Sequence, residues 1–319
     1  MLDTPLANSP DAVCQALERL EKERPHLKPI LEAVGGLLRA RAELAEQVSG
    51  MEPPDGESGE IDPARFAAGV PIAPRSEMHF ESSMVRRILG RVLAVMAEGL
   101  PAVRPVAETI RSALCDSALL VDLLGAVVAG QDLRLTTAAR DMGVPLDILH
   151  IVLEETARPL AIAQARGIAP RVSAMQWAKG HCPVCGSPPE MGVITADGGR
   201  RLLVCSFCCH CWLYPRTACP FCNSPSEGPL EFYYIEGQET ERGEGCRACK
   251  RYLPVFDIRQ AVSFTPDVAA VGLLALEMLL QEKGFSRGAE SWLVREAINF
   301  SRSSAAPRDS APAPHSSSG

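Results

Sequence analysis

The sequence predicts an α+β fold, in which a helical N-terminal domain is followed by two tandem rubredoxin-like or zinc-ribbon Cys₄ modules and a C-terminal helix. Two observations lead to this class. Apolar residues recur at helical spacing through most of the first 165 residues. Ten of the twelve cysteines then lie between residues 182 and 249, among short segments with the alternating pattern of strands.

Helical segments before the cysteines are separated by proline and glycine. We expect Asp11 to cap the first helix and Pro25 to break it, and apolar stripes place Cys14 and Cys115 in the helical core. The predicted segments are, in chain order, N-terminal helices at 1–50, a Pro/Gly-rich linker at 51–76, a helical bundle at 77–170, a first Cys₄ module at 177–217, a second Cys₄ module at 218–260, C-terminal helices at 261–300 and a disordered tail at 301–319.

The cysteine region should contain a few short strands. The candidate strands are 191–195, 201–205, 230–236 and 252–258. Asp197-Gly198-Gly199 joins the first two as a hairpin, and a polar turn that runs through Gly245 should follow the third. After the last strand, Asp267 is a candidate cap for the C-terminal helix.

Four Cys-x-x-Cys pairs carry the strongest functional signal in the chain. Such a turn brings two thiolates to within about 3.5–4 Å of each other, which is half of a tetrahedral metal site. The gap between the first two pairs is 19 residues and that between the last two is 23, and each suits a short hairpin. The spacing therefore predicts two successive Cys₄ sites, the first from Cys182, Cys185, Cys205 and Cys208 and the second from Cys219, Cys222, Cys246 and Cys249.

Two metal ions, one for each Cys₄ module, are the expected cofactors. The metal is zinc or iron, because tetrahedral sulfur ligation suits zinc and a single rubredoxin-type iron alike. Thiol–disulfide exchange is an alternative, although that chemistry favours a Cys-x-x-Cys at the start of a helix, and these pairs lie between strands. An iron–sulfur cluster is a further alternative, which the even pairing matches poorly.

The run Cys208-Cys209-His210-Cys211 contains more ligand groups than one site needs. Cys208 and Cys211 are also three residues apart, so the second pair could be shifted along the chain. Cys205 with Cys208 gives both modules the same form, and we prefer it. Cys209, His210 and Cys211 are then spare, either as tolerated side chains or as an accessory ligand set.

Composition and charge exclude several classes of protein. The net charge is −7, and nine basic residues balance nine acidic ones within 177–260, so the cysteine region lacks the basic surface of a nucleic-acid binder. No secretory signal pattern is present at the N-terminus, and the apolar runs 118–130 and 268–280 are too short for a bilayer. We therefore expect a cytoplasmic protein with no nucleic-acid partner and no stable membrane insertion.

Motifs for DNA recognition and catalysis are weak in this chain. Residues 135–150 resemble a helix-turn-helix, but the second helix carries acidic residues and almost no Lys or Arg, so a helical hairpin is the better interpretation. No phosphate-binding loop, Ser-His-Asp order or paired-carboxylate motif stands out, and we expect no enzyme.

Taken together, the motifs resemble those of the formate dehydrogenase accessory protein family, FdhE. The resemblance spans roughly residues 20–285. The residues that carry it are Trp177, Gly180, Cys182-Pro-Val-Cys-Gly-Ser-Pro188, Leu203-Val-Cys-Ser-Phe-Cys208, Trp212, Arg216, Cys219-Pro-Phe-Cys222, Cys246-Arg-Ala-Cys-Lys-Arg-Tyr-Leu253 and Asp257. We expect both tryptophans to pack inside the protein.

The resemblance implies a cytoplasmic, non-catalytic factor for the assembly of respiratory formate dehydrogenase. Its implied partner is the catalytic subunit of that enzyme, which such factors bind before export. The alternative function is a rubredoxin-like electron-transfer or redox protein, which a red iron chromophore bleached by dithionite would indicate. A zinc-ribbon nucleic-acid binder is disfavoured by the charge balance.

The sequence departs from the family pattern at two places. Cys209-His210-Cys211 stands where a polar segment is usual, which bears on metal stoichiometry. Pro254 stands where Lys or a similar residue is expected, which argues against a continuous strand there.

Overall fold

A computed structural model describes residues 8–49, 61–224, 230–261, 263–289 and 292. The predicted tail at 301–319 lies outside the described residues, as do 51–60 of the predicted linker and most of 290–300. All helices and strands named below belong to the described part of the chain.

Helices fill the chain before the cysteine region. Their bounds are α1 Pro10–Glu23, α2 Lys28–Ser49, α3 Pro63–Ala68, α4 Ser82–Gly99, α5 Ala107–Ala113, α6 Ser117–Ala129, α7 Asp132–Met142 and α8 Leu146–Ser173. The cap of α1 is Ser9, whose side chain accepts from the Ala12 amide, and Asp11 lies in the first turn. The prediction of an Asp11 cap is therefore wrong by two residues.

Helix α8 is the centre of the helical layer. It packs against α2, α4, α6 and α7, and it continues through Pro159 and Pro170 to Ser173, slightly beyond the predicted bundle. An internal proline removes one helical hydrogen bond, a cost that burial of the surrounding apolar residues outweighs here. Cys14 is half-buried, but Cys115 is exposed because it follows the end of α5 in the turn to α6, so its predicted core position is wrong.

The strands of both cysteine modules join in one sheet. Their bounds are β1 Pro189–Ile194, β2 Arg201–Cys205, β3 Cys211–Leu213, β4 Leu230–Tyr233, β5 Glu241–Cys246, β6 Arg251–Asp257 and β7 Ser286–Arg287. The strand order is β3-β2-β1-β6-β5-β4, and β7 also pairs with β6. The two modules meet where β1 runs parallel to β6, with Val193 opposite Phe256.

The central strands are buried on both faces. Leu203, Leu253 and Val255 pack toward the helical layer, whereas their neighbours Leu202 and Tyr252 pack toward the C-terminal helices. Alternation along each strand therefore serves two apolar cores. The sheet lies between them, and the first Cys₄ group belongs to the core on the helical side.

Strand β5 replaces the polar turn that the sequence predicts before Gly245. Apart from Cys246 at its end, its residues are glutamate, arginine and glycine, which are uncommon in strands. The buried carboxylate of Glu244 pairs with Arg201 and Arg242, and a Cβ on Gly243 would lie 2.5 Å from Cδ1 of Leu280. The ion pairs of Glu244 and the close packing at Gly243 thus stabilise a strand whose composition is typical of a loop.

Pro254 lies inside β6, so the doubt about a strand at this position is not confirmed. The Asp257 amide donates to Thr240 O on the β5 side, and the Ile258 amide donates to Ile194 O on the β1 side. Because successive amides alternate, the nitrogen of Pro254 faces the β1 side. Pairing with β7 ends at Tyr252 and pairing with β1 begins at Val255, so proline stands where no partner strand needs a donor.

The C-terminal helix is divided into α9, Pro266–Gly272, and α10, Leu274–Glu282. Its cap position is Thr265, so the predicted Asp267 cap is wrong. The carboxylate of Asp267 instead points into the protein, where it lies 2.9 Å from Arg41 and 3.6 Å from Arg158. These ion pairs tie α9 to α2 and α8.

Among the described residues, no single helix is long and apolar enough to cross a membrane. The pair α5 and α6, bent by 112°, passes that test together on length and composition.

Candidate metal centre

The four Cys-x-x-Cys turns share one backbone shape. The residue after each second cysteine has a positive φ: 82° at Gly186, 57° at Cys209, 58° at Asn223 and 58° at Lys250. Only glycine adopts this left-handed conformation freely, and asparagine tolerates it better than most residues. The left-handed residue turns the chain back over the thiols, so each pair forms a closed knuckle.

Backbone hydrogen bonds close the first three knuckles in the same way. In each, the amide of the first cysteine donates to the carbonyl five residues later. These bonds are Cys182 N to Ser187 O at 2.9 Å, Cys205 N to His210 O at 2.9 Å and Cys219 N to Ser224 O at 3.0 Å. The amides of Phe207 and Cys208 also donate to Cys205 Sγ, each at 3.4 Å. Amides aimed at sulfur stabilise a thiolate.

The first predicted cysteine set comes together in a buried cluster. Cys182 Sγ lies 3.7 Å from Cys208 Sγ, and Cys185 Sγ lies 3.4 Å from Cys205 Sγ. All four sulfur atoms lie within 4.8 Å of one another, and none of the four side chains is more than 4% exposed.

The second predicted set also comes together, at the end of the sheet near β4 and β5. Cys219 Sγ lies 3.8 Å from Cys249 Sγ, and Cys222 Sγ lies 3.7 Å from Cys246 Sγ. Cys219 and Cys246 are buried, Cys249 is half-buried and Cys222 is exposed. This cluster is therefore open to solvent on one side.

Both clusters fit a tetrahedral ion. With a metal–sulfur bond of about 2.3 Å, the edges of a sulfur tetrahedron are about 3.8 Å long. The sulfur–sulfur distances given above, 3.7 and 3.4 Å in the first cluster and 3.8 and 3.7 Å in the second, fall at or just below that edge. Each group could therefore hold one metal ion, and the sulfur donors suit zinc and iron alike.

The electrostatics of the first cluster favour a bound cation. Burial raises the pKa of the Cys205 and Cys208 thiols well above the ordinary value, while hydrogen bonds from the neighbouring cysteines lower the pKa of Cys185 well below it. Four thiolates in a buried space repel one another, so full ionisation needs a positive ion at the centre.

In the second cluster, too, the pKa is raised for one cysteine and lowered for another. Burial raises the pKa of Cys219. At Cys222, partial burial acts in the same direction, but hydrogen bonding with the side chain and backbone of Ser224 outweighs it and lowers the pKa to about 7. Cys222 thus loses its proton more easily than Cys219 does.

The spare run Cys209-His210-Cys211 has its own place in the turn. Cys209 occupies the left-handed position, His210 accepts the closing hydrogen bond and Cys211 begins β3. Neither thiol joins a Cys₄ group among the described residues, and Cys208 lies beside Cys182, so the shifted pairing does not form. Cys209 Sγ lies 3.9 Å from Asp267 Oδ1 instead.

The tryptophans of the motif brace the entry to the first knuckle. Trp177 Nε1 donates to His181 O at 2.8 Å, and its ring packs against Phe66 at 4.6 Å between centroids. Trp212 Nε1 donates to Lys179 O at 3.1 Å. Trp212 is 4% exposed and packs inside the protein as expected, whereas Trp177 is half-buried.

A buried network of ion pairs lies beside the first cluster and was not predicted from the sequence. Arg41 makes a bidentate contact with Glu155 at 2.8–3.1 Å, and both side chains are nearly inaccessible. Arg158, one turn along α8 from Glu155, donates to Ser206 O inside the second knuckle at 2.7 Å. Charged residues inside an apolar helix are the signal that could have indicated this network.

Comparison with known proteins gives a family for these motifs. Residues 181–216 match the family model "FdhE, central domain". Curated proteins called "Protein FdhE homolog" are similar too: that of Aquifex aeolicus is 30% identical over 156 residues, which are 48% of this chain and 54% of that protein. The resemblance to the FdhE family is confirmed. The FdhE homolog of Stutzerimonas stutzeri is 35% identical over 35% of this chain and 38% of its own length. The FdhE homolog of Pseudomonas aeruginosa is 36% identical over 35% of this chain and 39% of its own length.

A solved structure agrees with the fold. The crystal structure of the FdhE protein from Pseudomonas aeruginosa superposes with a TM-score of 0.61 at 24% identity, and it covers 90% of this chain and 95% of that chain. The predicted class, with helices on either side of the cysteine modules, is confirmed. In sequence, the chain spans about half the length of the Aquifex relative and less of the other two.

Proposed function

We propose that this protein is a non-catalytic accessory factor for the assembly of respiratory formate dehydrogenase. The observation that carries the proposal is the joint presence of the FdhE central-domain match and two Cys₄ groups of tetrahedral size. The FdhE matches support an accessory role in formate dehydrogenase production. The partner in this role is the catalytic subunit, bound in the cytoplasm before export.

The metal-stapled sheet suits the binding of a client. A structural Cys₄ ion needs no further ligand and adds folding free energy to a small β-module. With eight cysteines as ligands, Cys182, Cys185, Cys205, Cys208, Cys219, Cys222, Cys246 and Cys249, the region would present a rigid surface from two ions. Rigid surfaces lose little conformational entropy when a partner binds.

A deletion strain tests the proposal. Loss of the gene should abolish formate dehydrogenase activity while the transcript of the catalytic subunit persists, and the intact chain should restore activity. A Cys182→Ser chain should fail to restore it. The matched control is Cys115→Ser, which removes an exposed thiol outside both clusters and should restore activity in full. Normal activity in the deletion strain would refute the proposal.

Co-purification tests the partner directly. A tagged chain should retain the formate dehydrogenase catalytic subunit with its export signal still attached. Retention of only the exported, processed subunit would contradict binding before export.

A further inference from the structure

The first knuckle is held by the linker that precedes α4. Residues 72–75 lie along it, and three backbone bonds join them: Ile72 N to Pro183 O at 3.0 Å, Ala73 N to Val184 O at 2.9 Å and Arg75 N to Cys185 O at 3.0 Å. The carbonyl groups of Pro183, Val184 and Cys185 thus accept hydrogen bonds from the linker that leads into α4. This turn cannot open without breaking those bonds.

Arg75 joins the second knuckle to helix α6. Its Nε donates to Val128 O at 3.0 Å and its Nη2 donates to Val127 O at 3.4 Å, which satisfies carbonyls at the end of α6. The same guanidinium lies 4.3 Å from the ring centroid of Phe207, between Cys205 and Cys208. One side chain therefore stacks on the metal knuckle and binds the helical layer.

Helix α8 holds the second knuckle from another side. Arg158 is buried, donates to Ser206 O at 2.7 Å and lies 3.6 Å from Asp267 of α9. Together with the linker and α6, three parts of the helical layer enclose the first cluster.

The second cluster lacks such a cover among the described residues. Its hydrogen bonds come from the strands and loops of the sheet region and not from the helical layer. Examples are Tyr214 OH to Cys219 O at 3.2 Å, Ser286 N to Lys250 O at 2.8 Å and Cys222 Sγ to Ser224 Oγ at 3.3 Å. Cys222 is exposed and Cys249 is half-buried. A small molecule in solution can reach this cluster while the chain remains folded.

We propose that the two Cys₄ sites have different tasks: the first is a closed clasp between the helical layer and the sheet, and the second is an exchangeable site for a thiol-binding divalent metal ion. Release from the second site proceeds as an incoming ligand displaces Cys222 and then its neighbours, with no change of oxidation state. Release from the first site requires the helical layer to separate from the sheet, a larger opening that is correspondingly rarer.

Chelator kinetics on the full chain test the proposal. A chain reconstituted with two equivalents of Zn²⁺ is mixed with an excess of the chromophoric chelator 4-(2-pyridylazo)resorcinol. One equivalent should leave at least about tenfold faster than the other, without a change in far-ultraviolet circular dichroism. Equal rates for both ions, or a chain that accepts one equivalent only, would overturn the proposal.

Cysteine labelling assigns the fast ion without a variant. After the fast phase, a brief treatment with N-ethylmaleimide and peptide mapping should find label on Cys219, Cys222, Cys246 and Cys249. Protection of these four, with label on Cys182, Cys185, Cys205 and Cys208, would contradict the assignment. Because the intact chain is used, failure of a variant to fold does not affect the result.

Weakening the clasp gives a matched comparison. Arg75→Ala removes the bridge between α6 and Phe207 and should speed the slow phase about tenfold or more while the fast phase is unchanged. Arg87→Ala removes an exposed arginine from α4 and should alter neither phase. An Arg75→Ala chain with the slow rate of the unaltered protein would contradict the clasp.

Discussion

Gly180 allows the backbone before the first knuckle to lie directly against the third knuckle. It precedes the first knuckle, and a Cβ at this position would lie 1.8 Å from Pro220 O, inside the third knuckle. No side chain fits between these backbones, so the glycine is required by a close approach rather than by its backbone angles. Its place in the motif follows from packing between modules.

Gly180→Ala should therefore destabilise the protein. The added methyl group must push the third knuckle away, with an expected loss of about 1–3 kcal/mol in the free energy of unfolding. Denaturant unfolding measures this loss. Gly167→Ala on α8 is the matched control, because nothing lies within 4 Å of its new Cβ. A Gly180→Ala chain as stable as the unaltered protein would show that the two knuckles do not touch.

The residue after each second cysteine is constrained by its backbone conformation. Lys250 and Cys209 adopt the left-handed conformation that glycine occupies in the first knuckle, at φ 58° and 57°. For residues with a Cβ this conformation costs free energy, which the surrounding bonds offset. At Cys209, the closing hydrogen bond from Cys205 N to His210 O supports this conformation.

Strand β5 shows how an element depends on its neighbours. Gly243 and Gly245 leave room for Leu280 and Phe285, which cover this part of the sheet. The buried Glu244 is acceptable only because Arg201 and Arg242 neutralise it.

A size exchange between β5 and α10 tests this packing. Gly243→Ala should cost about 1–3 kcal/mol through overpacking, and Leu280→Ala about 2–5 kcal/mol through a cavity. The double variant should lose less stability than the sum of the two, because the new methyl group fills part of the cavity. Denaturant unfolding of the three variants measures the coupling. Additive losses would mean that these side chains do not meet.

Helix α9 is attached through Asp267, and its ion pairs should make stability depend on pH. Burial alone would raise the pKa of Asp267, but Arg41 of α2 and Arg158 of α8 outweigh it and lower the pKa below the ordinary value. Cys209 also faces this carboxyl, and Glu190 of β1 faces Arg158. A carboxyl with a lowered pKa stabilises the fold above its unfolded value, about 3.9, and this contribution is lost as the pH falls through the folded value.

Asp267→Asn should accordingly cost about 3 kcal/mol near neutral pH, since it removes the charge that Arg41 and Arg158 share and leaves Arg41 paired with Glu155 alone. The difference from the unaltered protein should shrink as the pH is lowered from about 4 through the lowered pKa of Asp267. Denaturant unfolding at several pH values measures this difference. Asp122→Asn, which removes an exposed ion pair with Arg134, is the control and should cost at most about 1 kcal/mol. A difference that stays constant with pH would exclude the ion pairs as its source.

At the scale of the whole molecule, one sheet connects two cores. The helical layer contacts one face and α9, α10 and Phe285 contact the other, while the first cluster lies within the core on the helical side. Helices α2, α4 and α8 also contact one another directly. The helical layer therefore has apolar contacts of its own, whereas the sheet also contains both Cys₄ groups.

Removal of both ions should thus affect the two parts differently. Chelation in mild denaturant should remove amide protection from β1, β2 and β6, while α2, α4 and α8 keep much of theirs, because metal binding contributes directly to the folding of the cysteine modules. Hydrogen exchange with mass spectrometry measures both parts in one experiment. Full protection of the sheet in the metal-free chain would contradict a structural role for the ions.

The sequence by itself was sufficient for the features that depend on nearby residues. Helical periodicity, proline breaks and the paired cysteines are local, so the helices, the hairpin at β1 and β2 and the grouping of eight cysteines could be predicted. Strand β5 could not, since its glycines and glutamates suit a strand only beside Leu280 and Arg201.

Only the tertiary structure decided how these parts are joined. The shared sheet arises from pairing of β1 with β6, about sixty residues apart, and the enclosure of the first cluster arises from Arg75 and Arg158, far from the cysteines in the chain. Burial is a property of the whole fold, and identical Cys-x-x-Cys spacing carries no information about it. Two sets of four cysteines with the same pairing therefore form a buried cluster in the first module and a partly exposed cluster in the second.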